Sequence, residues 1–257
     1  MTRTVPAAII AAVVLCLLAH PVAAQEPCKR IVIGTGTVVA VRDGRTLALD
    51  DGREIRLAAI EVADGSPTVL HSLTGGRSVR LERLGPERDR YGRIVALIFT
   101  DDKTGDDKAP SVQQTMLEQG QARVSARIGD KACAALLLRA ERAARAAHRG
   151  LWADPNFAPL RSQDTARISA VRGQFTIVEG KVLSVRETSA TIYLNFGHRW
   201  TRDFTVTIPK RSRREFADAG VDPKQLEGRL IRIRGWIEQR SGPVLEVVTP
   251  EQIELTD

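Results

Sequence analysis

A short turn flanked by two segments of alternating character is the feature that most restricts how this chain can fold. Residues 45–49 and 54–59 have this alternating character, and Asp50-Asp51-Gly52 separates them. Alternation with a period of two is typical of strands with one buried face, and Asp-Gly is a strong hairpin signal. The sequence therefore predicts an antiparallel β-hairpin at this point.

Further strands and two helices are predicted around this hairpin. Five strands with a helix inside their order and helices at the end fit a small β-barrel of OB type. Gly120 and Gly150 end the two helices, as glycine commonly does. The additional strands are predicted at 35–41, 78–83 and 94–100, the helices at 111–119 and 132–149, and a surface loop at 101–110.

The second half of the chain repeats this architecture without a visible repeat in its residues. Three strands, a helix and two strands are again the OB order. We therefore predict a mainly β fold with helices (α+β), consisting of two tandem five-stranded OB-like β-barrels. The strands of the second half are predicted at 176–186, 191–196, 202–209, 230–238 and 244–248, with a helix at 211–219.

A polar run divides the two halves. Pro155 and Pro159 follow a predicted helix, and residues 161–167 lack an apolar period, which is typical of a linker. The resulting segments are a signal peptide at 1–24, a first domain at 25–154, a linker at 155–171 and a second domain at 172–257.

The N-terminus has the three parts of a secretory signal peptide. Arg3 supplies the positive charge, residues 9–18 form the apolar core, and Val22-Ala23-Ala24 provides a small-residue cleavage site. About ten apolar residues are too few to cross a membrane, and no other stretch of the sequence is long enough. We therefore predict cleavage near Ala24 and export to a periplasm or the extracellular space, without a membrane span.

Export changes what the cysteines imply. Cys16 leaves with the signal peptide, so the mature chain keeps Cys28 and Cys133. Two cysteines in an oxidising compartment predict one disulfide, and two buried thiols are the alternative. Two cysteines alone make no metal site, and the sequence shows no zinc-ligand spacing, P-loop or nucleophile elbow.

Most aromatic residues of the mature chain lie in the second half, and they allow two interpretations. Tyr193, Phe196, Phe204 and Trp236 lie in predicted strands, and burial in the barrel core is the expected role of the last three. Trp200, in a predicted basic loop, is the better candidate for stacking on a nucleic-acid base. The formal net charge of +7 is compatible with an anionic partner, but such charge also serves solubility alone.

Several motifs of the first half occur in a characteristic order. The motifs are Asp43-Gly44-Arg45-Thr46-Leu47, residues 56–61, Tyr91-Gly92-Arg93, residues 119–124, and Glu141 with Gly150-Leu151-Trp152. In this order they resemble a known enzyme family, the thermonucleases (staphylococcal-nuclease-like proteins). The resemblance covers about residues 32–153 and implies an SNase-like barrel whose relatives hydrolyse nucleic acids with calcium.

The resemblance implies roles for individual residues. Arg56 and Arg93 match the family's two phosphate-binding arginines, and a guanidinium suits this role because it donates to two phosphate oxygens at once. Tyr91 belongs to the same phosphate-binding set. Asp64 matches the water-activating glutamate with a shorter side chain and is a candidate base. Glu61 matches a metal-ligating aspartate with one extra methylene; pairing with a nearby arginine is its alternative role.

Arg45 departs from the family pattern Asp-Gly-Asp-Thr, in which its position holds a calcium-binding carboxylate. A unit positive charge about 6 Å from a divalent ion opposes its binding by roughly 5 kcal/mol at an effective dielectric constant near 20. We therefore expect no metal or other cofactor in this chain. Instead, Arg45 is expected to occupy the place of the cation, to pair with Glu61 and to form a phosphate-sized cluster with Arg56 and Arg93.

Three functions follow from these observations. The first is an exported, catalytically weakened or inactive nuclease homologue that binds nucleic acid or another polyanion through Arg45, Arg56 and Arg93. The second is an active secreted phosphodiesterase or endonuclease with altered metal dependence, which would use calcium. The third is a periplasmic protein-interaction scaffold without affinity for nucleic acid.

Overall fold

The structure of this chain is a computed structural model, which describes residues 28–62, 66–85, 87–100, 109–199 and 201–256. The predicted signal peptide, Asp64, Trp200 and most of the predicted loop at 101–110 lie outside the described residues. Within the described part of the chain, no helix has the length and apolar character needed to cross a membrane.

Five strands of the first half close into a barrel, as predicted. The strands of this half are β1 (Ile31–Asp43), β2 (Thr46–Leu49), β3 (Glu54–Leu57), β4 (Ile60–Val62), β5 (Ser78–Arg83), β6 (Ile94–Thr100) and β7 (Ala122–Val124). The barrel has the order β1-β2-β3-β6-β5, with β5 pairing back to β1. β3 and β6 are parallel, and the other neighbours are antiparallel. The described chain thus has a mixed α+β fold.

The predicted hairpin is formed by β2 and β3. Leu47 lies opposite Ile55, and both side chains are completely buried in the barrel core. Gly52 adopts a positive φ of 84° in the turn, a conformation that favours glycine. The alternating pattern therefore placed the correct side chains inside the barrel.

Three helices accompany the barrel: α1 (Ser66–Thr74), α2 (Val112–Glu118) and α3 (Lys131–Ala146). α2 is attached to the barrel by the buried side chain of Gln113, whose Nε2 donates to Ala96 O at 2.8 Å and whose Oε1 accepts from Ile98 N at 3.1 Å. The predictions missed α1, β4 and β7. α1 contains two threonines, a valine and a proline, which are weak helix formers, and the two strands have only three residues each.

A disulfide joins the N-terminal segment of the described chain to α3. Cys28 is bonded to Cys133, as the cysteine count predicted. The backbone N–H of Cys133 also donates to the carboxylate of Asp130 at 2.9 Å, which caps the start of the helix. The disulfide therefore fixes β1 and the first turn of α3 relative to each other.

The segment predicted as a linker is structured. It contains a 3-10 helix at Pro155–Phe157, strand β8 (Leu160–Arg161) and helix α4 (Thr165–Ala170). Leu160 and Ile168 are buried in the core of the second half. These two apolar side chains lie far apart in a polar segment and therefore give no regular period. For this reason the sequence pattern did not predict their burial.

The second half forms one eight-stranded sheet with the order β10-β11-β12-β14-β13-β9-β8, and β15 pairs with β13. The first predicted strand, 176–186, is divided into β9 and β10, whereas the other four predicted strands are present in order. β8 and β15 extend the sheet, and a second OB-like barrel remains a prediction. The elements are β9 (Phe175–Lys181), β10 (Ser184–Glu187), β11 (Thr191–Asn195), β12 (Thr205–Pro209), α5 (Arg213–Asp218), β13 (Leu230–Gln239), β14 (Pro243–Glu246) and β15 (Ile253–Leu255).

The core predictions for the aromatic residues of the second half are confirmed in two cases and wrong in one. Phe196 and Phe204 are buried, with ring centroids 5.2 Å apart. Trp236 is 49% exposed. In β13, Ile233, Gly235 and Ile237 point into the core, so the intervening Trp236 points outward. A single aromatic residue in a strand therefore did not reveal which face it belongs to.

A buried group of charged side chains joins the two halves. Arg234 of β13 contacts Glu141 of α3 through two hydrogen bonds of 2.8 and 3.1 Å, and it also pairs with Glu254 of β15. Arg145 reaches the same two carboxylates, at 2.9 Å and 3.3 Å. Burial opposes the charge of Arg234, but Glu141 and Glu254 outweigh it and raise the pKa of this arginine. The two halves therefore share a neutralised interface instead of being separated by a free linker.

Candidate functional site

The turn between β1 and β2 is organised by the carboxylate of Asp43. Its Oδ1 accepts a hydrogen bond from Arg45 N at 2.8 Å, and its Oδ2 accepts one from Thr46 Oγ1 at 2.9 Å. Gly44 permits close packing of α1, because a Cβ at this position would lie 2.7 Å from the Cβ of Ser66. These contacts fix the backbone from which the Arg45 side chain extends.

Arg45 and Arg56 meet at the carboxylate of Glu61, which belongs to β4. Arg45 Nη1 forms an ion pair with Glu61 Oε2, so the predicted pairing is present. Arg56 extends from β3 beside Thr46, and its Nη2 lies 3.9 Å from Glu61 Oε1. The side chains of Arg45 and Arg56 keep 27% and 24% of their surface exposed, so both are accessible from solvent.

Arg93 is positioned by the loop that precedes β6. Asp89 accepts hydrogen bonds from the backbone N–H groups of Tyr91 and Arg93, and its Oδ2 accepts from Arg93 Nε at 2.8 Å. Arg93 Nη1 donates to Thr46 Oγ1 at 3.0 Å, which connects this loop to the β1–β2 turn. Although burial opposes ionisation of Asp89, these hydrogen bonds lower the pKa of its carboxyl. Arg93 is therefore held in a fixed orientation by the Asp89 carboxylate.

Tyr91 lies at the outer edge of the same loop and is 69% exposed. The guanidinium groups of Arg90 and Arg93 lie 5.0 and 5.3 Å from the centre of its ring. These distances are within the range of cation–π contacts. The predicted phosphate-binding residue Tyr91 is thus close to Arg93 and open to solvent.

Arg56 is the least satisfied cation of the group. Its contact with Glu61 is longer than a hydrogen bond, and no hydrogen bond from its guanidinium occurs within the described residues. Burial lowers the pKa of Arg56, the positive charge of Arg45 lowers it further, Glu61 opposes this effect, and Arg93 adds to the lowering. The structure therefore brings Arg45, Arg56 and Arg93 into one electrostatic cluster, as predicted.

Residues 57–154 match a family model described as Staphylococcal nuclease homologue. This part of the chain is staphylococcal-nuclease-like. The matched residues include Glu61, Tyr91 and Arg93, whereas Arg45 and Arg56 lie just before them and the eight-stranded sheet lies after them. No curated protein matches the chain. The match thus relates residues 57–154, less than half of the whole chain, to a nuclease-like family, and strands β1, β2 and most of β3 lie before it.

Among the described residues, the carboxylates at the predicted calcium position are already engaged by donors of this chain. Calcium binds about six to eight oxygen ligands. Both oxygens of Asp43 accept hydrogen bonds within the turn, and Glu61 is paired with a guanidinium. Arg45 adds a positive charge beside these two carboxylates. The candidate base Asp64 lies outside the described residues.

Several residues of the site received no role in the sequence analysis. Asp89 and Thr46 orient Arg93, and Asp43 orients Arg45. Asp89 precedes Arg93 by four residues within the same loop, and this spacing was the available signal. Its meaning depends on the loop conformation, which the motif alone does not specify.

Arg123 of β7 is a further charged residue behind the site. It lies opposite Glu61 in the β4–β7 pair, and its guanidinium packs 5.1 Å from the ring centre of Phe175. Burial lowers the pKa of Arg123, while the negative charges of Glu141 and Glu61 oppose the shift. Arg123 therefore links the arginine site electrostatically to the buried interface between the two halves.

Proposed function

We propose that this protein is an exported nuclease homologue that binds nucleic acid, or another phosphate anion, and hydrolyses phosphodiesters poorly or not at all. In this proposal, Arg45, Arg56 and Arg93 contact the phosphate, Tyr91 packs beside it, and calcium is not required. The similarity of residues 57–154 to the staphylococcal nuclease family supports the substrate class.

The observation that carries the proposal is the environment of Arg56. This guanidinium is partly exposed, lies near two other cations, and within the described residues its one ion pair is with Glu61 at 3.9 Å. The N–H groups of the Arg56 guanidinium have no acceptor among the described residues and could donate hydrogen bonds to an incoming phosphate. The negative charge of the phosphate would also reduce the repulsion among the three cations. Charge-assisted hydrogen bonds of this kind are about twice as strong as neutral ones.

The proposed loss of hydrolysis rests on the carboxylates. Asp43 and Glu61 are engaged by donors of this chain, and Asp64 has a shorter side chain than the family's glutamate. A misplacement of about 1 Å in a reacting group costs on the order of a hundredfold in rate. We therefore expect this protein to bind phosphodiesters without hydrolysing them efficiently.

Export is the second component of the proposal. The predicted signal peptide and the Cys28–Cys133 disulfide are consistent with an oxidising compartment, in which disulfides form and persist. Expression with the signal peptide should yield a mature chain that begins near residue 25 outside the cytoplasm. An uncleaved chain recovered from the cytoplasm would contradict this component.

A nuclease assay with purified mature protein tests the catalytic component. We expect little or no cleavage of single-stranded DNA in calcium, and no difference between calcium and a chelator. Calcium-dependent cleavage that is abolished by Arg56→Ala would overturn the proposal and establish the alternative, an active phosphodiesterase. The family match is the observation that favours this alternative.

Binding titrations at several salt concentrations test the anion-binding component. Phosphate contacts release counterions, so the affinity for a labelled oligonucleotide should fall steeply as salt rises. Arg56→Ala should weaken binding and reduce the slope, whereas Arg77→Ala removes an equal charge from an exposed position before β5 and should do neither. Absence of binding at low salt would instead favour the protein-interaction scaffold.

A further inference from the structure

The outer face of the second sheet contains a groove that the proposed function does not use. Two rows of side chains cross strands β10, β11, β12 and β14 on this face. One row is Ser184, Asn195, Thr205 and Val244, and the other is Arg186, Tyr193, Thr207 and Glu246. Successive side chains of a strand point to opposite faces, and the residues between these, such as Leu194 and Val206, are in the core.

The floor of the groove has two polar atoms that lack partners. The hydroxyl oxygens of Thr205 and Thr207 are buried and accept or donate no hydrogen bond within the described part of the chain. The two residues are 6% and 3% exposed, although they lie on the outer face of the sheet. A buried hydroxyl without a hydrogen bond is costly, so the groove is better suited to an occupant that pairs with both.

The walls of the groove indicate the charge of that occupant. The cavity has a volume of about 500 Å³, and none of the described residues that line it is acidic. Arg186 and Arg240 lie on its rim together with His198. Arg240 forms ion pairs with Glu238 at 3.4 Å and with Glu246 at 4.0 Å. No ion pair of Arg186 occurs among the described residues. The free positive charge is therefore on the β10 side.

Tyr193 supplies an aromatic surface beside this charge. It lies directly opposite Arg186 in the β10–β11 pair and opposite Thr207 in the β11–β12 pair. Side chains opposite each other on antiparallel strands have Cβ atoms about 5 Å apart. An aromatic ring, a guanidinium and an unpaired hydroxyl are thus neighbours in one row. Nucleic-acid bases commonly stack on such rings while cations contact the backbone.

We propose that this groove is a second binding site and that it takes one nucleotide unit. The base packs on Tyr193, polar groups of the nucleotide bond the hydroxyls of Thr205 and Thr207, and the phosphate contacts Arg186. The volume falls within the range of pockets that hold small ligands, about 300 to 1,000 Å³. The nucleotide can be free or part of a single strand, and the site is independent of the function proposed for the first barrel.

The test uses two probes, dTMP and a labelled dT12 oligonucleotide, with the full mature chain carrying Arg56→Ala. This background removes the arginine expected to bind phosphate in the first barrel. The double variant Thr205→Val/Thr207→Val should weaken probe binding about tenfold, because two neutral hydrogen bonds are lost. Its melting temperature should be unchanged or higher, because valine replaces unpaired buried hydroxyls with methyl groups.

Arg186→Ala should weaken binding at least fivefold and reduce its dependence on salt. The matched control is Arg214→Ala, since Arg214 is highly exposed on α5 and does not line the cavity; its affinity should be unchanged. Binding of dTMP would identify a site for the free nucleotide, and binding of dT12 alone would identify one for a strand. The proposal is overturned if neither probe binds, or if the groove variants bind as tightly as their background.

Discussion

The chain contains two clusters of arginines and carboxylates, and they differ in how closely the carboxylates surround the central arginine. At the junction of the two halves, Arg234 is 1% exposed in its side chain and contacts Glu141 and Glu254. In the first barrel, the Arg56 side chain is 24% exposed and has one carboxylate contact at 3.9 Å. The first arginine is fully satisfied by the protein, whereas the second is not.

This difference separates a structural role from a binding role. A buried cation whose carboxylate partners neutralise it has nothing left to offer a ligand, and its removal affects folding. A partly exposed cation with unused donors contributes little to folding but can contact an anion. The same residue type therefore serves two purposes, and the contacts of each guanidinium indicate which purpose applies.

The largest effect is expected when the buried cluster is broken. Arg234→Ala leaves Glu141 and Glu254 buried, with Arg145 near both and Arg142 at 4.0 Å from Glu254, and should lower the free energy of unfolding by about 3–5 kcal/mol. Urea denaturation followed by circular dichroism measures this loss. Arg232→Ala is the control: its side chain is 24% exposed and pairs with Glu179, so a loss of about 1 kcal/mol or less is expected. Equal losses in both variants would contradict the distinction.

The converse is expected for Arg56. Arg56→Ala should weaken oligonucleotide binding about tenfold or more, because hydrogen bonds to a charged group contribute about 1.5–3 kcal/mol. Its free energy of unfolding should change by less than about 1 kcal/mol, since its ion pair with Glu61 is long and partly exposed. Anisotropy titration and urea denaturation of the same preparation give both values. A large loss of stability with unchanged binding would show that Arg56, like Arg234, has a structural role.

Arg45→Asp makes the comparison sharper by reversing one charge. The substitution removes the ion pair with Glu61 and adds a carboxylate to the β1–β2 turn. We expect weaker oligonucleotide binding and a melting temperature that rises with added calcium, because a ligand bound only to the folded state stabilises it. Arg45→Ala is the control, since it removes the cation without adding a ligand. Identical responses of both variants to calcium would show that the missing carboxylate is not the defect.

The sequence predicted the first barrel well because its strands alternate and its turns carry specific residues. Leu47 and Ile55 were placed inside by the period of the hairpin, and the structure places them there. The segment at 155–171 was misjudged because burial of Leu160 and Ile168 depends on the second sheet. Short-range pattern reveals a strand, but it does not reveal a single apolar residue that a distant sheet covers.

For the candidate site, the sequence predicted which arginines come together but not the hydrogen bonds and ion pairs that each of them forms. Motif order brought Arg45, Arg56, Arg93 and Glu61 together in the prediction, and they are together in the structure. The contacts that decide their roles, such as the hydrogen bonds of Asp89, depend on loop geometry. The pairing of Arg234 with Glu141 joins residues far apart in the chain, and no local pattern contains it.

A third charged cluster, around Glu187, is expected to give the smallest effect because solvent screens it. Lys210 and Lys224 lie 2.8 and 3.2 Å from its carboxylate, and their hydrogen bonds lower its pKa from 4.5 to about 2. A lowered pKa in the folded state means that this contribution to stability is fully present above about pH 4.5 and is lost as the pH falls towards 2.

Titration of Glu187 by NMR should give a pKa below 4.5 in the wild-type protein and a higher value in Lys210→Ala/Lys224→Ala. Stability at neutral pH should differ little between the two proteins, because solvent screens exposed ion pairs. A pKa that stays low without the lysines would assign the shift to Arg213, which lies 3.7 Å away. If the stability of the two proteins is the same, the difference between this cluster and the one around Arg234 lies in solvent exposure and not in the number of charges.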